Sequence, residues 1–259
     1  PGVDGVGSTL DGRRVYFGDL AAPHGSFAEW LVLPIQRLIP IPDGPSDTFV
    51  AAAMNPTMSA WVALTQRAGL REGESVLVLG ATGNAGRMAV QLARHLGASR
   101  VVGAGRARAV LDTLPSLGAD EVVPLGDANS DVASALAKAA ADVDVVVDYL
   151  WGPVTELALA AISGARADPA HRLRWVHVGA MAGPSITLPA ATIRKTNIEI
   201  SGSGQGSVSP AQLHTAYSAL LGAMSRSTLK IDTVTMPLAD VEQAWSRELP
   251  SGTRLVLIP

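Results

Sequence analysis

The residues with the clearest chemical meaning are a run of glycines and the arginines that follow it. Gly80-Ala81-Thr82-Gly83-Asn84-Ala85-Gly86 comes directly after the apolar run Ser75-Val76-Leu77-Val78-Leu79 and directly before a stretch with helical spacing. A tight, Cβ-poor turn between a buried strand and a helix lets the backbone approach a diphosphate closely. The free N–H groups at the helix N-terminus then face the negative charge. Gly83 and Gly86 leave the room that a Cβ would fill. A plain β-α turn with glycines for packing has the same seven residues, so the flanking strand and helix carry the dinucleotide reading. About 20 residues beyond such a turn, an Asp or Glu holds a free ribose 2′-hydroxyl, whereas an arginine accommodates a 2′-phosphate. Here that place reads Gly103-Ala104-Gly105-Arg106-Ala107-Arg108, with two arginines and no acid. The chemistry expected is therefore NADP(H) binding, with Arg106 pairing the 2′-phosphate and Arg108 as a second candidate.

The elements that must position these residues can be read from periodicity. Ser75-Val76-Leu77-Val78-Leu79, Val101-Val102, Glu121-Val122-Val123, Val143-Asp144-Val145-Val146-Val147 and Trp175-Val176-His177-Val178 are short and β-branched, as parallel strands buried on both faces are. Helices are expected over 86–96, 107–117, 131–141 and 154–162. In the first of these, Met88, Leu92 and Leu96 recur four apart. Strands alternating with helices imply a doubly wound parallel sheet. Residues 1–50 are rich in Gly and Pro, and Arg14-Val15-Tyr16-Phe17 and Glu29-Trp30-Leu31-Val32-Leu33 read as short strands of an irregular β domain. Toward the end, helices are expected over 210–224 and 238–245 and a closing strand over 254–258.

Composition narrows the class. The chain has 259 residues, 47% hydrophobic and 17% charged, which suffices for a sizeable core and is too little charge for a disordered chain. A formal net charge of −3 argues against a nucleic-acid surface. No apolar run reaches the length of a membrane span. There is no cysteine, which removes disulfides, cysteine nucleophiles and cysteine-rich zinc lobes. His24, His95, His171, His177 and His214 show no metal-ligand spacing. Tyr-x-x-x-Lys, Gly-Lys-Ser/Thr and Gly-x-Ser-x-Gly are all absent, so short-chain dehydrogenase, P-loop and serine-hydrolase chemistry are set aside.

With these motifs in order, the chain resembles the medium-chain dehydrogenase/reductase superfamily, in its zinc-free, quinone oxidoreductase-like and enoyl reductase-like branch. Pro1-Gly2-Val3-Asp4-Gly5-Val6-Gly7 resembles its PGxDGxG segment, and Gly12-Arg13-Arg14-Val15 its GDRV turn. Gly25-Ser26-Phe27-Ala28-Glu29-Trp30 is similar to GxxAEY, and Asn55-Pro56-Thr57-Met58-Ser59-Ala60-Trp61 to the helix start NPxTAY. The glycine turn resembles AxGxVG, residues 148–152 the D-x-V-G-G stretch, and residues 252–259 the ending GKxVLxP.

The resemblance implies an α/β fold in which a Rossmann domain (57–206) is inserted in a GroES-like β catalytic domain (1–56 and 207–259). Thr82, Gly83, Asn84, Ala85 and Gly86 would hold the diphosphate, and Gly105, Arg106 and Arg108 the adenosine phosphate. Tyr149, Val178, Gly179, Ala180, Ser203 and Gly204 would line the nicotinamide side, with Ser59 in the place of a Thr near that ring. Two segments, Ile186-Thr187-Leu188 and Ile198-Glu199-Ile200, would form edge strands pairing across a homodimer axis near 184–200. The protein would be cytoplasmic, with a small-molecule substrate and neither a nucleic-acid nor a membrane partner.

Two departures matter. Asp4 stands where zinc-dependent relatives carry a Gly-His-Glu histidine. Pro1 aligns with the middle of the catalytic domain, so about a quarter of the expected fold would lie upstream. The junction from Gly7 to Gly12 is also short for the strand pair the family places there. The chemistry that fits is zinc-independent hydride transfer from NADPH to a quinone or α,β-unsaturated carbonyl. Tyr16 and His24 are the proton-donor candidates on the catalytic side, and the residues assign the role to neither. The alternative is a non-catalytic NADPH-binding or regulatory protein of the same fold, favoured by Ser59 and Trp61 at positions the family fills differently.

Overall fold

The computed structural model describes residues 1–18, 20, 23, 25–126 and 129–259. His24 lies outside the described residues. The chain divides into two compact units. One is Pro1–Met58 with Ser209–Pro259, the other Ser59–Val208.

The first unit opens with β1 (Gly5–Ser8), β2 (Arg14–Phe17) and β3 (Ile39–Pro40), an antiparallel sheet in that order. The short junction after β1 closes as a hairpin, with Thr9 N–H on Arg13 O at 3.0 Å and Gly12 N–H on Thr9 O at 2.8 Å. Residues 29–33 form no strand. Trp30 and Val32 are exposed, Trp30 at 79%, while Leu31 and Leu33 are half-buried. Helix α1 (Asp47–Trp61) starts well before the Asn55-Pro56 pair that reads as a helix start, so Pro56 lies inside it. The hydroxyl of Thr57, fully buried, bonds back to Ala53 O at 2.5 Å.

The second unit contains β4 (Ser75–Leu79), α2 (Asn84–His95), β5 (Arg100–Gly105), α3 (Arg108–Leu111), β6 (Glu121–Pro124), α4 (Asn129–Ala140), β7 (Val145–Asp148), α5 (Gly152–Ala165), β8 (Leu173–His177), α6 (Ala190–Lys195) and β9 (Ile198–Gly202). All six strands are parallel, in the order β6-β5-β4-β7-β8-β9. That is the doubly wound dinucleotide-binding order, with its switch point between β4 and β7, where Leu79 pairs with Asp148. The β-branched runs are buried because helices cover both faces. One face packs Leu77, Val102, Val146 and Trp175 with Leu136, Leu159 and Ile162 of α4 and α5. The helix expected over 107–117 is only one turn of α3 followed by a 3-10 turn, Leu114–Leu117, ended by Gly118 at φ +107°. Residues 186–188 form no strand, and β9 alone is the sheet edge on that side. Ile186 and Leu188 instead pack against the core beside α5.

The chain then returns to the first unit with α7 (Pro210–Arg226), whose N-terminus is a capping box between Ser209 and Gln212. β10 (Asp232–Pro237), α8 (Val241–Ser246) and β11 (Thr253–Ile258) follow. The closing strand β11 pairs in parallel with β10, a strand not among those expected from the sequence. Among the described residues no helix is long and apolar enough to cross a membrane.

Candidate functional site

Every sequence-predicted site residue belongs to the second unit, and all but Ser59 lie on segments leaving the carboxyl ends of its strands. In doubly wound sheets that end is where ligands bind. After β4 the chain turns sharply at Gly80, φ +89°, and both Gly80 N–H and Ala81 N–H bond Ala104 O at 2.9 and 2.8 Å. This lashes the turn to the end of β5. Helix α2 begins at Asn84, with Gly83 as an N-cap that supplies no side chain. Asn84, Ala85 and Gly86 occupy the first turn, whose N–H groups an α-helix leaves without internal acceptors.

The glycines differ in what they do. A Cβ on Gly86 would lie 2.2 Å from Gly80 O and 2.7 Å from Ala81 Cα, so Gly86 is needed for the helix to sit against the turn. A Cβ on Gly83 would meet only Gly80 O, at 3.6 Å. The space beside exposed Gly83 is therefore open, and the protein itself does not demand it. A Cβ on Gly105 would lie 2.5 Å from Thr82 Cγ2 and 2.8 Å from its Oγ1, so Gly105 seats the Thr82 side chain. Asn84 Oδ1 is buried and has no hydrogen-bond partner, an unmet acceptor in the same turn.

Arg106 follows β5, exposed and with no carboxylate partner among the described residues. Arg108 begins α3 and pairs with Asp112 at 3.1 Å. Both side chains of that pair are largely exposed, so the pair is worth little and Arg108 is readily released.

On the other side of the switch point, Tyr149 follows β7 and is 8% exposed, with its hydroxyl 3.5 Å from Ser59 Oγ. Burial pushes the Tyr149 phenol well above its ordinary range, and the Ser59 hydrogen bond draws it partly back. The phenol therefore keeps its proton at neutral pH. Val178, Gly179 and Ala180 follow β8. The N–H groups of Val178 and Gly179 are committed to Asp148 O, at 2.7 and 3.2 Å. After β9, Ser203 N–H bonds His177 O at 2.8 Å and Gly204 N–H bonds Ser207 Oγ at 3.0 Å. At these places the amides of Val178, Gly179, Ser203 and Gly204 are spent, which leaves the Ala180 N–H, carbonyls and side chains. Arg67 pins the β9 exit, with its Nε on Gly202 O at 2.7 Å.

Sequence reasoning gave no site role to Asp148, Trp151 or His177. Asp148 is fully buried and accepts from four donors. Trp151 has φ +54° and ψ −166°, and its ring lies 4.2 Å from that of His177. The available signal was one carboxylate closing an otherwise apolar strand, Val145-Val146-Val147-Asp148.

In the first unit Tyr16 is 1% exposed and donates to Asp4 Oδ2 at 3.0 Å, with the Tyr217 ring 5.3 Å away. Burial first, then Asp4 and Tyr217, push its phenol far up. Tyr16 is thus a committed core phenol and not a poised acid.

The profile of the zinc-binding dehydrogenase family matches residues 85–223. A protein of Emericella nidulans named as a probable NADPH-dependent quinone reductase is 34% identical over 222 residues, covering 81% of this chain and 61% of that one. Prostaglandin reductase-3 of Bos taurus is 31% identical over 183 residues, 66% of this chain and 45% of that one. The chain thus spans less than two thirds of the length of either relative. The crystal structure of the quinone oxidoreductase from Thermus thermophilus, solved also with NADPH, superposes with a TM-score of 0.74 at 29% identity, over 95% of this chain and 75% of that one. The family description names zinc. This chain has no cysteine, and among the described residues no group of three or more His, Asp or Glu side chains is placed to hold a metal. The described residues do not fit that ion.

Proposed function

The chain belongs to the medium-chain dehydrogenase/reductase superfamily, in its quinone oxidoreductase-like branch, and on that premise we propose that it is an NADP(H)-dependent, zinc-independent reductase acting on a quinone or an α,β-unsaturated carbonyl. The observation that carries this reading is a pairing at one sheet end. An open glycine turn on a 12-residue helix lies there with an arginine that has no carboxylate partner among the described residues.

Backbone N–H groups of Thr82, Asn84, Ala85 and Gly86 bind the diphosphate, helped by the positive end of α2, while the Gly83 N–H stays on Gly80 O and Gly83 contributes open space. Arg106 pairs the 2′-phosphate, and Arg108 joins it by leaving Asp112. Gly105 keeps Thr82 seated between these two anionic subsites. Tyr149, Ser59 and the carbonyls of residues 178–180 and 203–204 shape the nicotinamide end. Bound NADPH supplies a hydride from its nicotinamide C4 to the electron-poor carbon of the acceptor. The protein's part in that step is to hold the acceptor carbon against the nicotinamide face, and such placement is a large share of the catalysis. Tyr149 and Ser59 offer hydroxyls that stay protonated at neutral pH to the same region.

We assign the edge strand β9 as the face that pairs two copies of the chain, because among the described residues its outer backbone has no neighbouring strand. Sedimentation is expected to give a dimer mass, and a monomer mass alone would remove that assignment. A panel of quinones and enones with NADPH tests the function. Oxidation of NADPH on at least one class is expected. Tight NADPH binding without oxidation on any acceptor would favour a non-catalytic NADPH-binding protein.

A further inference from the structure

Asp148 ends β7 after three valines and is completely buried. Its Oδ1 accepts from Leu150 N–H at 2.8 Å and Trp151 N–H at 3.1 Å. Its Oδ2 accepts from the Thr155 hydroxyl at 2.6 Å and the Trp175 indole N–H at 3.0 Å. Its main-chain oxygen takes the N–H groups of Val178 and Gly179. One residue therefore holds the turn after β7, the start of α5 and the chain leaving β8. The two carboxylate oxygens divide the work. Oδ2 is anchored in the core, and Oδ1 holds the turn.

The turn needs holding. Trp151 sits at φ +54°, ψ −166°, a region that side chains rarely adopt, and Gly152 follows at φ +63°. Such backbone persists only where its surroundings over-determine it. Here the constraints are the Asp148 bond to Trp151 N–H and the tilted contact of the Trp151 ring with that of His177. Burying a carboxylate is costly, and apolar residues of similar volume are often as good for stability. A fully satisfied buried network instead specifies one arrangement. The arrangement specified here is the segment carrying Tyr149 at the switch point.

We infer that Asp148 is a positioning residue: through Oδ1 and its carbonyl it fixes the Tyr149–Trp151 turn and the Val178–Gly179 segment in the one arrangement that receives the nicotinamide half of the dinucleotide. This rests on the NADP(H) reading above. The adenosine half is bound elsewhere, by the glycine turn and Arg106, and does not depend on Asp148.

The test is titration of NADPH and of 2′,5′-ADP, which carries the 2′-phosphate and no nicotinamide, into the full chain. Asp148→Ala is expected to weaken NADPH by at least about tenfold and to leave 2′,5′-ADP within about twofold. Asp148→Asn should restore most of the NADPH affinity. Its amide oxygen can face the two fixed turn donors and its NH2 the Thr155 hydroxyl, which can accept; the Trp175 indole N–H would meet that NH2 donor to donor, so this variant also carries Trp175→Phe. Because Asp148→Ala also strands Trp175 N–H in the core, a second variant combines Asp148→Leu, Thr155→Val and Trp175→Phe. It keeps an apolar core and frees only the turn, and the same selective loss is expected. Equal weakening of both ligands, unchanged NADPH affinity in the triple variant, or Asn behaving like Ala would each overturn the inference alone. Wild-type protein that binds neither ligand would overturn the cofactor reading and the inference with it.

Discussion

At the amino end of the six-stranded sheet the charged side chains have partners, although the Nε atoms of Arg166 and Arg174 are buried without one. Arg174, 8% exposed at its side chain, reaches Glu74 at 2.7 Å and the carbonyls of Ala68 and Gly69. Asp144 accepts from both the N–H and the hydroxyl of Ser75, each at 2.7 Å, and faces His171 at 2.6 Å. Arg166 ties together the carbonyls of Ala141, Val143 and His171. At the carboxyl end the pattern reverses. Among the described residues Arg106 has no carboxylate and Asn84 Oδ1 has no donor, while Gly83 opens onto empty space and Trp151 is held in a strained backbone. The same strands thus run from an end whose charges are spent on the fold to an end where Arg106 and Asn84 Oδ1 are not. The proposed function assigns binding to that second end. Asp148 is the exception that joins them, a fully satisfied carboxylate at the binding end.

Substitutions can break this contrast. The largest effect is expected at Gly86, where helix and turn meet backbone to backbone. Gly86→Val places carbon against Gly80 O and should cost about 4 kcal/mol or more, with NADPH binding lost. Retained folding and binding in denaturant and titration experiments would show that the close approach is not required. Next is the amino end. Glu74→Ala leaves the buried Arg174 without its carboxylate and should cost about 3 kcal/mol in chemical denaturation. NADPH affinity should stay within about twofold. A large affinity loss there would mean that the two ends are not separable. Arg106→Ala should do the reverse, weakening NADPH about tenfold while leaving NADH binding and the melting temperature nearly unchanged.

The smallest effect belongs to Asp144. Burial opposes its ionisation, but the Ser75 N–H, the Ser75 hydroxyl and His171 together outweigh that and hold its pKa below the ordinary value. A depressed carboxylate contributes stability that is fully present above the unfolded-state value, about 4, and is lost as pH falls through the folded-state value. Asp144→Asn should cost about 1 kcal/mol at neutral pH, the net worth of a typical hydrogen bond. The difference from wild type should shrink as pH is lowered below about 4. A difference that stays constant to low pH would assign the cost to packing.

These comparisons also explain what the sequence disclosed. The parallel strands were legible because burial on both faces demands unbroken β-branched runs such as Val145-Val146-Val147. The glycine turn was legible because its geometry leaves few residue types possible. Residues 29–33 carry the same apolar, aromatic composition yet form no strand, because composition does not supply a pairing partner. Pro56 reads as a helix start because proline suits the first turn, whereas α1 already runs from Asp47. β10 was missed although Thr233-Val234-Thr235-Met236 alternates, because the run is short, ends at Pro237 and half-buries only Val234 and Met236. At the candidate site, the place of Arg106 after β5 was legible from its distance to the turn. The convergence of donors on the Asp148 carboxylate was not, since the four come from positions two to 27 residues away.

The central claim is that this sheet end was left unpaired for NADP(H). The direct measurement is a fluorescence or calorimetric titration of NADPH and of NADH into the wild-type chain at fixed ionic strength. NADPH should bind at least about tenfold more tightly than NADH, with the gap narrowing as salt is raised. Equal affinity for the two, at low and high salt alike, would contradict it.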